Sequence, residues 1–166
     1  GSAGALFYDP IADTVIDYVG GLEDLARRTV RCIGDPHVRF KEDPVRIWRV
    51  LRHAARLDFE LEDGVRRAIP DCLPLLRHCP GARLYEELNK DLAKMPGEVF
   101  RRIREFGVLG TLLGRSGRAY ESDGALFGKL VSLLEAMGRA GVKLVGEDRW
   151  VQGYEILPTA PEVVPT

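Results

Sequence analysis

From Pro36 to Leu57 the chain contains no glycine and a single internal proline, Pro44, and this stretch constrains the fold more than any other. Such a run reads as helix, with Pro44 either starting a new helix or kinking a continuous one. At about 100° per residue, Arg46, Arg49, Arg52 and Arg56 fall within roughly 120° of one another, while Ile47, Trp48, Leu51, Ala54 and Ala55 gather on the opposing side. The pattern predicts one core face and one arginine stripe. Asp43 followed by Pro44 looks like a helix start, with the aspartate as N-cap and the proline at the first helical position.

Elsewhere glycine and proline divide the chain into further helical stretches. Helical spacing is expected around 22–28, 65–76, 83–94, 97–113 and 125–138, with breaks at Gly34-Asp35-Pro36, Asp58–Gly64, Pro80-Gly81, Pro96-Gly97 and the polar stretch Gly114–Gly124. Before them, Ala5–Tyr8 and Thr14–Val19 are β-rich runs around a turn-forming Asp9-Pro10, which reads as a β-hairpin. Beyond Val142 the helical period is lost, and Pro158, Pro161 and Pro165 suggest an extended tail. The expected architecture is mainly α: a short β-hairpin at 1–21, helices at 22–95, a further helical body at 96–141 and a tail at 142–166.

The overall charge is near balance, with 24 Lys and Arg against 25 Asp and Glu, so only local clustering can recruit nucleic acid. Residues 39–57 hold six basic side chains (Arg39, Lys41, Arg46, Arg49, Arg52, Arg56) against two acidic ones (Glu42, Asp43). An arginine stripe is in general a solvated face. A carboxylate and a guanidinium one helical turn apart, as at Asp43 and Arg46, also present an acceptor beside a fork of donors, the combination that can read the edge of a base. Arg101, Arg102 and Arg104 form a second basic spot, suited to RNA phosphates or to plain solvation. Trp150 and Tyr154 suit base stacking or packing on the body. Cys32, Cys72, Cys79 and His37, His53, His78 lack the spacings of zinc or redox motifs, and no apolar run approaches the roughly 20 residues that span a bilayer. Reduced thiols and a cytoplasmic location are expected, without a membrane partner. The scattered carboxylates Glu60, Glu62, Asp63, Glu86 and Glu87 lack a companion nucleophile, which argues against a hydrolase.

Four groups of residues carry a family likeness. Asp17–Leu25 (Asp-Tyr-Val-Gly-Gly-Leu-Glu-Asp-Leu), Ile33–Pro36, Arg39–Arg46 with Arg49 and Arg52, and Ala82–Leu88 resemble, in order and spacing, the class II nucleotidyltransferases. That family contains the bacterial poly(A) polymerases and the tRNA CCA-adding enzymes, and the Asp-Tyr-Val-Gly-Gly wording is more similar to the poly(A) branch. The resemblance covers residues 5–113. It implies that Asp43 and Arg46 belong to a Glu-Asp-x-x-Arg motif that hydrogen-bonds the incoming base as a protein template. It further implies that Arg49 and Arg52 lie toward the nucleotide, that Arg83 and Glu86 support this helix, and that Asp17, Gly20 and Gly21 form a hinge. Trp48, His53 and Asp58 depart from the family pattern, the last where a glycine is usual, which puts packing and helix termination in question.

The resemblance also implies ATP as substrate, an RNA 3′ end as partner, and Mg2+ held by the carboxylates of a catalytic head. The Gly-Ser turn and Asp-x-Asp pair of such a head do not occur in this sequence, and a truncated chain, inactive on its own, is expected. The alternatives are a fragment of a tRNA CC-, A- or CCA-adding enzyme and a non-catalytic helical RNA-binding module.

Overall fold

The computed structural model describes residues 18–19, 26–145, 149–151, 154–156 and 162–165. Asp17, Gly20, Gly21, Leu22–Leu25 and the expected hairpin as far as Asp17 lie outside the described residues, as do the side chains of Trp150 and Tyr154. The chain divides into two compact units, residues 1–76 and 77–166.

The first unit is built on a three-stranded sheet in the order β1 (Tyr18–Val19), β2 (Thr29–Cys32), β3 (Glu60–Leu61). β1 runs antiparallel to β2, with Tyr18 opposite Cys32 and Val19 opposite Arg31. β2 and β3 are parallel, with Thr29 opposite Glu60 and Val30 opposite Leu61. Parallel strands need a crossover connection. Here it is α1 (Pro36–Glu42) and α2 (Val45–Leu57). Asp35 caps α1, its Oδ1 accepting from His37 N at 2.8 Å and Val38 N at 3.4 Å. Pro44 starts a new helix and does not kink a continuous one.

α2 is enclosed on more than its apolar side. Val45, Ile47, Trp48, Val50, Leu51, Ala54 and Ala55 are buried, and with Phe40, Val30 and Leu61 they form much of this unit's core. At its far end Asp58 adopts the left-handed conformation, φ 53° and ψ 45°. Phe59 N donates to Ala54 O at 2.9 Å and Asp58 N to Ala55 O at 3.2 Å, the paired bonds of a Schellman cap. An aspartate thus serves where the resemblance led to a glycine, and termination is intact. α3 (Asp63–Cys72) follows, capped by Glu62, and is linked to α1 by His37 Nε2 to Asp71 Oδ2 at 2.8 Å. A 3-10 turn, Leu73–His78, leads on.

The second unit contains α4 (Gly81–Ala93), α5 (Pro96–Glu105), α6 (Val108–Leu113), α7 (Arg115–Ser122) and α8 (Gly124–Arg139). Two sequence expectations are corrected here. The helix expected over 97–113 is two, because Gly107 turns the chain at φ 76°. The polar stretch expected as a break between Gly114 and Gly124 is a helix, α7. Gly117 explains it: an added Cβ would stand 1.9 Å from the Leu109 carbonyl oxygen, so glycine permits the close crossing of α6 and α7 that secures a short polar helix. Glu121 reinforces the crossing by accepting from Gly110 N at 2.7 Å.

Among the described residues after α8 are four short strands. β4 (Val142–Val145) pairs antiparallel with β7 (Glu162–Pro165), and β5 (Arg149–Val151) with β6 (Tyr154–Ile156). β4 is held to α4 by one side chain: Asn89 Nδ2 donates to Leu144 O and Asn89 Oδ1 accepts from Leu144 N, both at 2.7 Å.

Gly117→Ala should lower stability by about 1–3 kcal/mol or more, since the obstacle is backbone and cannot rotate away. Denaturant unfolding checks this. Asp58→Gly should raise the melting temperature by about 2–4 °C, since relief of the left-handed strain outweighs an exposed pair with Arg28. A lower melting temperature in thermal circular dichroism would show that the Arg28 contact dominates.

Candidate nucleotide-recognition site

The residues singled out in the sequence meet at the α1–α2 junction. Asp43 closes α1, its N–H donating to Arg39 O at 3.2 Å, and opens α2, its Oδ1 accepting from Val45 N at 3.3 Å. Asp43 thus caps α2 as the sequence suggested, itself extended at φ −150° and ψ 97°, while Pro44 already has helical φ and ψ of −61° and −23°. The proline cannot donate a backbone hydrogen bond, which makes its position at the break inexpensive.

Arg46 lies in the first turn of α2, half-buried, with 21% of its side chain exposed. Its Nη1 donates to Glu42 Oε2 at 2.9 Å and to Arg39 O at 3.0 Å. Asp43 and Arg49 are half-buried as well, and Arg52 is enclosed at 2% exposure. The stripe is thus not a solvated face. Guanidinium groups withdrawn from water act more strongly on what they touch, because fewer water dipoles oppose them.

Arg83 and Glu86 sit on α4 in the second unit, Arg83 half-buried and Glu86 exposed. The next carboxylate along, Glu87, is the enclosed one at 1% exposure, with Lys90 Nζ 3.6 Å from its Oε1, and Asp91 is fully buried a turn further on. Sequence reasoning took Glu87 only as one of the scattered carboxylates and passed over Asp91. A signal existed in their i,i+4 spacing within an otherwise amphipathic helix, but acidic residues are mostly exposed and the pattern alone does not bury them. Among the described residues no group of three or more His, Cys, Asp or Glu side chains is placed to hold a metal ion.

On the opposite flank of α1, the Cys72 thiol is buried, with Sγ 4.0 Å from the His37 carbonyl oxygen. Burial pushes its pKa up, partly countered by Lys41 and augmented by Asp71 and Asp35.

With this geometry in hand, the chain can be set beside known proteins. Residues 58–114 match the family described as "Probable RNA and SrmB- binding site of polymerase A". The chain is 41% identical over 105 residues to the poly(A) polymerase I of Haemophilus influenzae, covering 63% of this chain and 23% of that protein. It is a relative of the bacterial poly(A) polymerases and CCA-adding enzymes. The CCA-adding enzyme of Bacillus licheniformis is 38% identical over 105 residues, 63% of this chain and 26% of its own length. A solved tRNA-processing enzyme in an apo form superposes with a TM-score of 0.58 at 30% identity, covering 74% of this chain and 34% of that one. The mainly helical fold expected from the sequence is thus shared with the matching third of that enzyme. The chain spans about a quarter of the length of the curated relatives it matches.

In the folded protein Cys72 should resist alkylation at pH 8 while the half-buried Cys32 and Cys79 react first, all three becoming equal in denaturant. Mass spectrometry of the modified peptides checks the order.

Proposed function

We propose that this chain is the nucleotide-selecting and RNA-binding part of a template-independent nucleotidyltransferase that adds AMP from ATP to RNA 3′ ends. What carries the reading is the placement of Asp43 and Arg46, one turn apart and half-buried at the head of α2, in a relative of the poly(A) polymerases. The Asp43 carboxylate accepts and the Arg46 guanidinium donates. On its pairing edge adenine offers an amino donor beside a ring-nitrogen acceptor, and cytosine offers the same order; guanine and uracil offer the reverse. A fixed acceptor–donor pair therefore admits adenine and cytosine and leaves guanine and uracil with opposed dipoles. Arg49 and Arg52 add positive charge along the same helix face, suited to the nucleotide's phosphates.

Transfer itself belongs to a catalytic head. Its carboxylates would hold Mg2+, which polarises the attacking hydroxyl and the leaving phosphate. No step is assigned to the described residues through a metal. Arg83 and Glu86 are proposed as support for the template helix, and Asp17, Gly20 and Gly21 as the hinge to the head. The matched RNA-binding family over residues 58–114 supports contact with RNA from this part of the chain. No helix among the described residues is long and apolar enough to cross a membrane, and a cytoplasmic location fits RNA processing.

A second reading, a tRNA CCA-adding enzyme, is favoured by the likeness to solved tRNA-processing enzymes. The two separate on products: a homopolymeric A tail on generic RNA identifies the poly(A) activity, and arrest after completing CCA on tRNA identifies the other. In the full-length enzyme, Asp43→Ala and Arg46→Ala should each weaken the preference for ATP over GTP and UTP by about 1–3 kcal/mol, through the unpaired edge left behind. Single-nucleotide incorporation rates check this, and an unchanged preference in both variants would remove the template role.

A further inference from the structure

Two acid-free segments meet in the second unit. Residues 77–85 and 106–120 contain no aspartate or glutamate, and they are joined where Arg77 Nε donates to Thr111 O at 2.9 Å. That carbonyl lies in the last turn of α6, whose final carbonyls have no helical partner, and Arg77 supplies one. The bond uses Nε alone. Both Nη groups of this exposed side chain are left without a protein partner among the described residues. Arg118 reaches the same helix from beyond the Gly114 turn: its Cγ lies 2.9 Å from the point a Cβ on Gly110 would occupy, one residue before Thr111. Arg115 precedes Arg118 by three residues on α7, a spacing that makes the two neighbours on the helix surface. Three exposed guanidiniums are thus gathered at the α6–α7 corner, none of them in an ion pair among the described residues.

An ordinary solvated face intersperses arginines with carboxylates. Here the nearest candidate, Glu121, turns its carboxylate to Gly110 N at 2.7 Å. Arg115 and Arg118 therefore stand as adjacent like charges in the first turn of α7, where the helix dipole also disfavours cations. An anion at the corner relieves both. We propose that the α6–α7 corner binds the phosphates of single-stranded RNA, with Arg77, Arg115 and Arg118 as the contacting side chains. This rests on the RNA-binding role proposed above and extends it, since the family match ends at residue 114 and two of the three arginines lie beyond it. The planar fork of a guanidinium matches phosphate geometry, and contacts to the backbone add affinity without reading a base. Leu113 is also exposed at the corner, at 57%. A single leucine is too small an anchor for an amphipathic peptide, which docks through several apolar side chains at helical spacing.

The test is binding of labelled oligoadenylate and oligouridylate to the 166-residue chain, followed by fluorescence anisotropy over a series of salt concentrations. Arg77→Gln, Arg115→Ala and Arg118→Gln together should weaken both RNAs about tenfold and lower the slope of log K against log salt by about 2, at about 0.7 per phosphate contact. Arg115→Ala with Arg118→Gln breaks no side-chain hydrogen bond and should lower the slope by about 1.4 with the melting temperature unchanged. Arg101→Ala, whose guanidinium is paired with Glu98, should leave affinity and slope as they are. If the chain binds RNA and the combined variants keep affinity and slope, the corner is overturned and the RNA-binding reading stands. An equal loss in Arg101→Ala would make the attraction diffuse and overturn the corner as well. Should a polyglutamate peptide bind more tightly than RNA and lose affinity in the same variants, the face belongs to an acidic protein and the RNA assignment is overturned. If the unaltered chain binds neither RNA, the RNA-binding reading itself has failed, and the corner with it.

Discussion

Everything in the first unit depends on the parallel pairing of β2 with β3. Two strands that run the same way cannot be joined by a tight turn, so the chain between them must leave the sheet, cross it and return. The return path is α1 and α2, and the apolar side of α2 is spent on closing that crossover: Ile47, Trp48, Val50 and Leu51 are all buried. The helix has little freedom to rotate about its axis, because turning it would lift that set out of the core. Its arginines are therefore carried at fixed angles by packing done elsewhere on the same helix.

The break at Asp43-Pro44 makes the junction more than a connector. A continuous helix would have placed Arg39 and Arg46 on one cylinder two turns apart. Ending α1 and restarting at Val45 bends the chain so that Arg46 reaches the Arg39 carbonyl oxygen. Proline suits the bend because it has no N–H to leave unpaired, and Asp43 serves both helix ends at once.

Much of this was legible in the sequence. The glycine-free run with one proline read as helix that either restarts or kinks at Pro44, and the positions named for its core face, Ile47, Trp48, Leu51, Ala54 and Ala55, are all buried. The enclosure of Arg52 was not legible, because amphipathic periodicity describes a helix with one wet side and α2 is covered on more. The β2–β3 pair escaped notice because Glu60–Leu61 is too short to show an alternating pattern, and α7 because its glycine and serines imitate a loop. Spacing alone set Asp43 beside Arg46, and the family resemblance added the template role that spacing left open against a plain helix start.

The carboxamide of Asn89 has the same donor and acceptor as a peptide unit, and toward Leu144 it behaves as one. In an antiparallel strand the N–H and C=O of a single residue point to the same side, so the groups taken by Asn89 lie on the side of β4 away from β7. An open strand border of that kind is an invitation to self-association, since any extended chain can zip onto it. A helix-borne amide that fills the vacancy denies entry at that point, and it guards solubility without adding a single charge.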